Sequence, residues 1–164
     1  MEFISEAIAF AVQSHDGMRR KKGALPYILH PMEAAVIVGT MTDDQNLIAA
    51  AVLHDVVEDA GVTLEDIEEK FGKRVRELVA SETEDKRADL PPSDTWRIRK
   101  EESLAVLRAT KDIGILMVWL AEGRTPMSDF TFTFHFHALE KEMATPVFLP
   151  GESQGWGSLM GCRL

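Results

Sequence analysis

The run Ala49-Ala50-Ala51-Val52-Leu53-His54-Asp55-Val56-Val57-Glu58-Asp59 constrains this chain more than any other stretch. Four groups able to bind metal or carry protons fall within six residues of a strongly apolar segment. A helix turns every 3.6 residues, so a single helix here makes His54 and Glu58, and likewise Asp55 and Asp59, i,i+4 neighbours. Ala49, Ala50, Val52, Leu53, Val56 and Val57 cover most of the remaining surface, so the helix is expected to be buried on more than one side. Burying three carboxylates and an imidazole costs several kcal/mol unless something offsets the charge. A divalent cation is the natural compensator. The alternative is a helix end whose Glu58 and Asp59 point into water.

The stretch upstream supplies candidates for the same site. Phe3, Ala7, Phe10 and Ala11 recur at helical spacing and predict a first helix from about Phe3 to His15. Met18-Arg19-Arg20-Lys21-Lys22-Gly23 then gathers four cations, either a solvated loop or a binding patch. Pro31 suits the first residue of a helix, which places His30 at its N-cap. Asp43 or Asp44 caps the helix after that. The short connection makes the two helices antiparallel neighbours, so His30 can meet His54 and Asp55 at one end of the pair.

With 164 residues the chain is expected to form one domain burying roughly two thirds of its unfolded surface. A net charge of -9 argues against general nucleic-acid or acidic-membrane binding but leaves room for a small anion held by a local basic patch. A single cysteine, Cys162, excludes an internal disulfide and a cysteine zinc cluster. The start of the chain lacks a basic leader and an apolar signal core, and no apolar run has the roughly 18 residues of a membrane span, so a cytoplasmic location is expected.

Tyr27-x-x-His30-Pro31, the His54-Asp55 doublet and Glu58-Asp59 directly after it together resemble the HD metal-dependent phosphohydrolases. More narrowly, the chain resembles the hydrolase domain of the RelA/SpoT group and the small alarmone hydrolases. Further matches are His15-x-Gly17-x-x-Arg20-Lys21, Thr63-x-x-Asp66 with Phe71-Gly72, Thr83-Glu84-Asp85-Lys86 and Trp96-x-x-Arg99-Lys100. The resemblance spans residues 1–120 and implies an all-α helical bundle around a divalent metal, usually manganese. It implies that His30, His54 and Asp55 are metal ligands and that Glu58 and Asp59 form the acid/base pair. It implies that Arg20 and Lys21 contact the guanine and phosphates, with Trp96 near the substrate. The reaction implied is removal of pyrophosphate from the 3′ position of (p)ppGpp, leaving GDP or GTP. The residue types agree: imidazole with carboxylate suits a manganese-like ion, and paired carboxylates suit proton transfer.

Beyond the central run, Gly61 ends a helix and Thr63-x-x-Asp66 starts the next as a capping box. Phe71-Gly72 ends that one, and Lys73 to Ser81 form another. Thr83 to Asp94, with Pro91-Pro92, reads as a loop over the site. A helix follows to Ala109, then a buried apolar segment from Ile113 to Leu120, Gly114 notwithstanding.

Residues 121–164 depart from the family, as an irregular or partly extended tail rather than a separate domain. Where the family carries an Asp as fourth ligand, Glu122 occupies the aligned slot as a weaker candidate ligand. Thr131-Phe132-Thr133-Phe134-His135-Phe136-His137 alternates as a strand does. Such a break suggests a shifted reading frame or a replaced end, and an uncovered apolar surface there favours self-association. Two readings stand. One is a guanosine polyphosphate pyrophosphohydrolase; the other is a nucleotide-binding or interaction module whose metal site is incomplete.

Overall fold

In the computed structural model, which describes residues 2–20, 24–85, 87 and 89–124, the alanine-rich run forms the central helix. Helix α1 is Phe3–Ser14, α2 Leu29–Met41, α3 Gln45–Leu53, α4 Val56–Asp59, α5 Leu64–Glu82, α6 Pro92–Ala109 and α7 Ile113–Arg124. Among the described residues there is no strand, only an isolated antiparallel bridge between Arg19 and Pro26. The all-α bundle expected from the sequence is what is found. The strand-like segment from Thr131 and the glycine-rich end lie outside the described residues, as do Lys21 and Lys22.

Helix α3 packs against α1, α2, α5 and α7. Leu47, Ala49, Ala50, Ala51, Val52 and Leu53 are all buried, and the three consecutive alanines leave room for neighbours to approach on several sides. Leu53 is 0% exposed and immediately precedes the polar doublet. Leu53→Ala is therefore expected to cost about 2–5 kcal/mol of stability, the usual range for a buried leucine. The shift in denaturant midpoint measures it. A loss below about 1 kcal/mol would mean that the floor of the site is loosely packed.

Several terminations follow the sequence. The Asp44 side chain accepts from the Asn46 N–H at the start of α3. At α5, Thr63 Oγ1 accepts from the Asp66 N–H while an Asp66 carboxylate oxygen accepts from the Thr63 N–H. Gly72, at φ 84°, breaks the helical path within α5 where Phe71-Gly72 was expected to end a helix.

Three details differ from the sequence expectation. The loop read as Thr83 to Asp94 ends earlier, because α6 starts at Pro92 with Pro91 as its N-cap, so positions 93 and 94 lie in its first turn instead of in the loop. The central run is two helices, α3 and α4, with a turn at His54-Asp55, because Asp55 (φ -91°, ψ -9°) departs from helical geometry. Helix α2 begins at Leu29, so His30 lies inside its first turn instead of capping it. Pro31 is still tolerated there, since first-turn N–H groups have no partner within the helix. Gly114, out of place in an apolar segment, has a packing reason. Arg74 on α5 makes a two-pronged pair with Asp112, at 2.5 and 2.9 Å, and a Cβ on Gly114 would sit 2.6 Å from Arg74 Nη2.

Candidate metal centre and active site

The turn between α3 and α4 points His54 and Asp55 toward the first turn of α2. One ligand atom from each of His30, His54 and Asp55 lies within 4.8 Å of the other two. Asp55 Oδ2 is 3.2 Å from His54 Nε2 and 3.6 Å from His30 Nε2. The two imidazoles meet edge to face, with centroids 5.1 Å apart. Both histidines are buried, at 4% and 3% exposure.

The donor chemistry fits a divalent cation. His54 Nδ1 is 2.8 Å from the Ala51 carbonyl, so it is the nitrogen that carries a hydrogen, and Nε2 faces the site. His54 Nε2 is buried, and its neighbour within the site is the Asp55 carboxylate, at 3.2 Å. Burial alone disfavours a charged His54, but the adjacent Asp55 carboxylate outweighs it and pushes the ring up to about 10. Burial would raise Asp55, yet His54 and then His30 hold its carboxyl well below the usual range. The two groups thus supply for each other the charge compensation that a cation supplies when bound.

The surrounding cavity, about 470 Å³, is lined by the triad together with Arg20, Tyr27, Glu58, Asp59, Trp96, Arg99, Lys100 and Glu122, among others. Glu58 and Asp59 come from the short α4. Glu58 Oε1 accepts the Glu84 N–H at 2.6 Å, and Asp59 Oδ2 lies 2.7 Å from the Tyr27 hydroxyl. Both carboxylates are therefore held by protein and are not loose in water. Glu122 lines the cavity but is not within the 4.8 Å set of the triad. Burial lifts its carboxyl above the ordinary value, while His54 pulls the other way.

Arg20 is 7% exposed, with its guanidinium 5.2 Å from the Tyr27 ring centroid. The basic run therefore does not leave this residue on a solvated loop. Trp96, half exposed on α6, stands at the cavity wall. Lys21 lies outside the described residues, so its place at the site is not defined.

Sequence reasoning gave no role to two carboxylates. Glu82 lines the cavity with Oε1 buried; burial first, and then the Glu122 charge, raise it well above the ordinary carboxylate value. The signal was present: Phe71, Val75, Leu78 and Val79 form the buried stripe of α5, and position 82 continues it at helical spacing. Glu84 accepts from Arg99 at 2.9 Å, Lys100 at 2.5 Å and Ser103 at 3.0 Å, tying the loop after α5 to α6.

Comparison with known proteins agrees with this geometry. The model of the HD domain matches residues 7–133. A putative chloroplastic GTP diphosphokinase RSH1 of Arabidopsis thaliana is 35% identical over 129 residues, which is 74% of this chain and 14% of that protein. A GTP pyrophosphokinase rsh of Brucella abortus is 34% identical over 119 residues, 73% of this chain and 16% of that protein. The chain thus spans a small part of these curated relatives. A solved structure described as a metazoan ortholog of SpoT that hydrolyzes ppGpp is 31% identical, with a TM-score of 0.62 over 75% of this chain and 67% of that one. No helix among the described residues is long and apolar enough to cross a membrane. The chain belongs to the HD-domain family, and within it is similar to the SpoT and RSH proteins.

Proposed function

We propose that this chain is a divalent-metal-dependent pyrophosphohydrolase that removes the 3′ pyrophosphate of (p)ppGpp, with manganese as the preferred ion. The observation that carries the reading is the convergence of His30, His54 and Asp55 beside Glu58 and Asp59 in one cavity. The solved neighbour that hydrolyzes ppGpp supports the choice of substrate.

His30 and His54 would hold the ion through ring nitrogens and Asp55 through a carboxylate oxygen. When bound, the ion supplies Lewis acidity at a phosphoryl oxygen and lowers the pKa of water. The chain's own residues do the rest. Glu58 and Asp59 are placed to take a proton from the attacking water and return one to the leaving oxygen. Their surroundings differ, a backbone N–H on Glu58 and a phenol on Asp59, as suits two groups with distinct roles. Arg20, backed by Tyr27, offers a flat cation for base stacking, and Lys21 offers a point charge for phosphate.

Arg20→Ala is expected to weaken guanosine polyphosphates more than free pyrophosphate, measured by calorimetric titration. Equal losses for the two would assign Arg20 to phosphate alone. The assay for the activity itself is pyrophosphate release from ppGpp with and without added Mn²⁺, in parallel with ordinary nucleotides.

A second reading has one specific observation behind it. The convergent set contains three donors, with Glu122 beyond it. A nucleotide-binding module with an incomplete ion shell would bind ppGpp without releasing pyrophosphate. Glu122→Ala separates the cases: it lowers Mn²⁺ affinity if Glu122 completes the shell and leaves it unchanged if not.

A further inference from the structure

We propose that Tyr27 is a positioning residue for Asp59: its single hydroxyl links the cation site to the acid/base carboxylate, and orients Asp59 once Asp55 is engaged by the ion. The inference rests on the reading of the site as a metal-dependent phosphohydrolase.

The ring of Tyr27 is fixed on several sides. Its backbone N–H donates to the Met18 carbonyl at 3.0 Å, and its own carbonyl accepts the His30 N–H at 3.0 Å. The ring stacks on His15 with centroids 5.0 Å apart, meets His30 edge to face, and lies under the Arg20 guanidinium. So anchored, the hydroxyl sits 2.9 Å from Asp55 Oδ2 and 2.7 Å from Asp59 Oδ2.

A phenol has one hydrogen and can donate to one of these oxygens at a time. Asp55 Oδ2 is also the oxygen facing both imidazoles, the one a cation between them would use. A cation at that oxygen would draw off its charge and weaken it as an acceptor, and the hydroxyl has an alternative at Asp59 within hydrogen-bond distance. With Asp55 holding an ion, the O–H would turn to Asp59. Loading of the cation site thereby becomes coupled to the orientation of a group that moves protons.

Tyr27→Phe in the full chain keeps the ring and its stacking and removes only the donor. Mn²⁺ affinity is expected to stay within about threefold of the parent, since the ion replaces the hydroxyl at Asp55 and does not depend on it. The kcat for ppGpp is expected to fall about 10- to 100-fold with KM little changed, because an orienting contact is lost and not a binding one. In an Asp59→Ala background, Tyr27→Phe should add less than about twofold, since residues that act as a unit are not additive. Additive losses would overturn the proposal by giving Tyr27 a role independent of Asp59. So would a drop of tenfold or more in Mn²⁺ affinity, which would make Tyr27 a support for Asp55 instead.

A second readout needs no turnover. Tyr27 is the only tyrosine in the chain, so the tyrosine bands of an ultraviolet resonance Raman spectrum report its hydroxyl alone. Saturation with Mn²⁺ should change those bands in the parent toward a hydroxyl bonded to Asp59, and in Asp59→Ala, where that acceptor is gone, toward a weaker hydrogen bond. If the parent releases no pyrophosphate, the proposed function fails and this spectrum still decides the case of Tyr27: bands unmoved by bound Mn²⁺ overturn it.

Discussion

Glu58→Gln or Asp59→Asn is expected to lower turnover of ppGpp by about 10² to 10⁴, the usual contribution of a positioned proton-transfer group, while leaving fold and cation binding largely intact. The structure gives reasons for both halves of that expectation. Neither carboxylate belongs to the convergent His30, His54 and Asp55 set, so neither amide removes a ligand. Both amides keep an oxygen able to accept from the Glu84 N–H or the Tyr27 hydroxyl, so the local bonds survive. What is lost is the capacity to bind and release a proton. Steady-state kcat, compared with Mn²⁺ affinity and melting temperature on the same samples, makes the measurement. If both variants turn over as the parent does, the pair is structural and the acid/base assignment is wrong.

The largest expected effect on stability away from the core is at Glu84. Its carboxylate receives Arg99, Lys100 and Ser103, and the three charged side chains are only 12–15% exposed. Removing the shared acceptor of a part-buried ion cluster leaves cations without their counter-ion, at a cost of about 1–3 kcal/mol. Glu84→Ala should therefore destabilise the chain by about that much, with the loss concentrated in α6. The backbone N–H that Glu84 gives to Glu58 does not depend on the side chain, so the acid/base pair should suffer less than the helix. Hydrogen exchange along α6 with a denaturant midpoint measures both. The exposed Arg97–Glu101 pair on the same helix is the control, and Glu101→Ala should leave the midpoint nearly unmoved. If the two variants behave alike, the Glu84 cluster is as solvent-screened as any surface pair.

What the sequence disclosed and what it concealed divide along physical lines. The helices were legible because apolar residues recur at helical spacing and because caps such as Asp44 and the Thr63–Asp66 box are local chemistry. The convergence of His30 with His54 and Asp55 was legible because a short connection leaves α2 and α3 few ways to pack. The break at His54-Asp55 was not, since nothing in those residue types forbids a helix. The burial of Arg20 was concealed because a run of cations ordinarily reads as solvated, and only the folded chain brings Tyr27 beneath it. Glu84 was hidden for the opposite reason: its partners, Arg99 and Lys100, are too far along the chain for spacing to pair them.

The measurement that tests the central claim most directly is pyrophosphate release from ppGpp by the metal-stripped chain, before and after addition of Mn²⁺, with His54→Ala alongside. Release that appears only with the ion and vanishes in His54→Ala is the predicted result. Bound ion and bound ppGpp with no pyrophosphate released would contradict it, and would make this chain a nucleotide-binding member of its family.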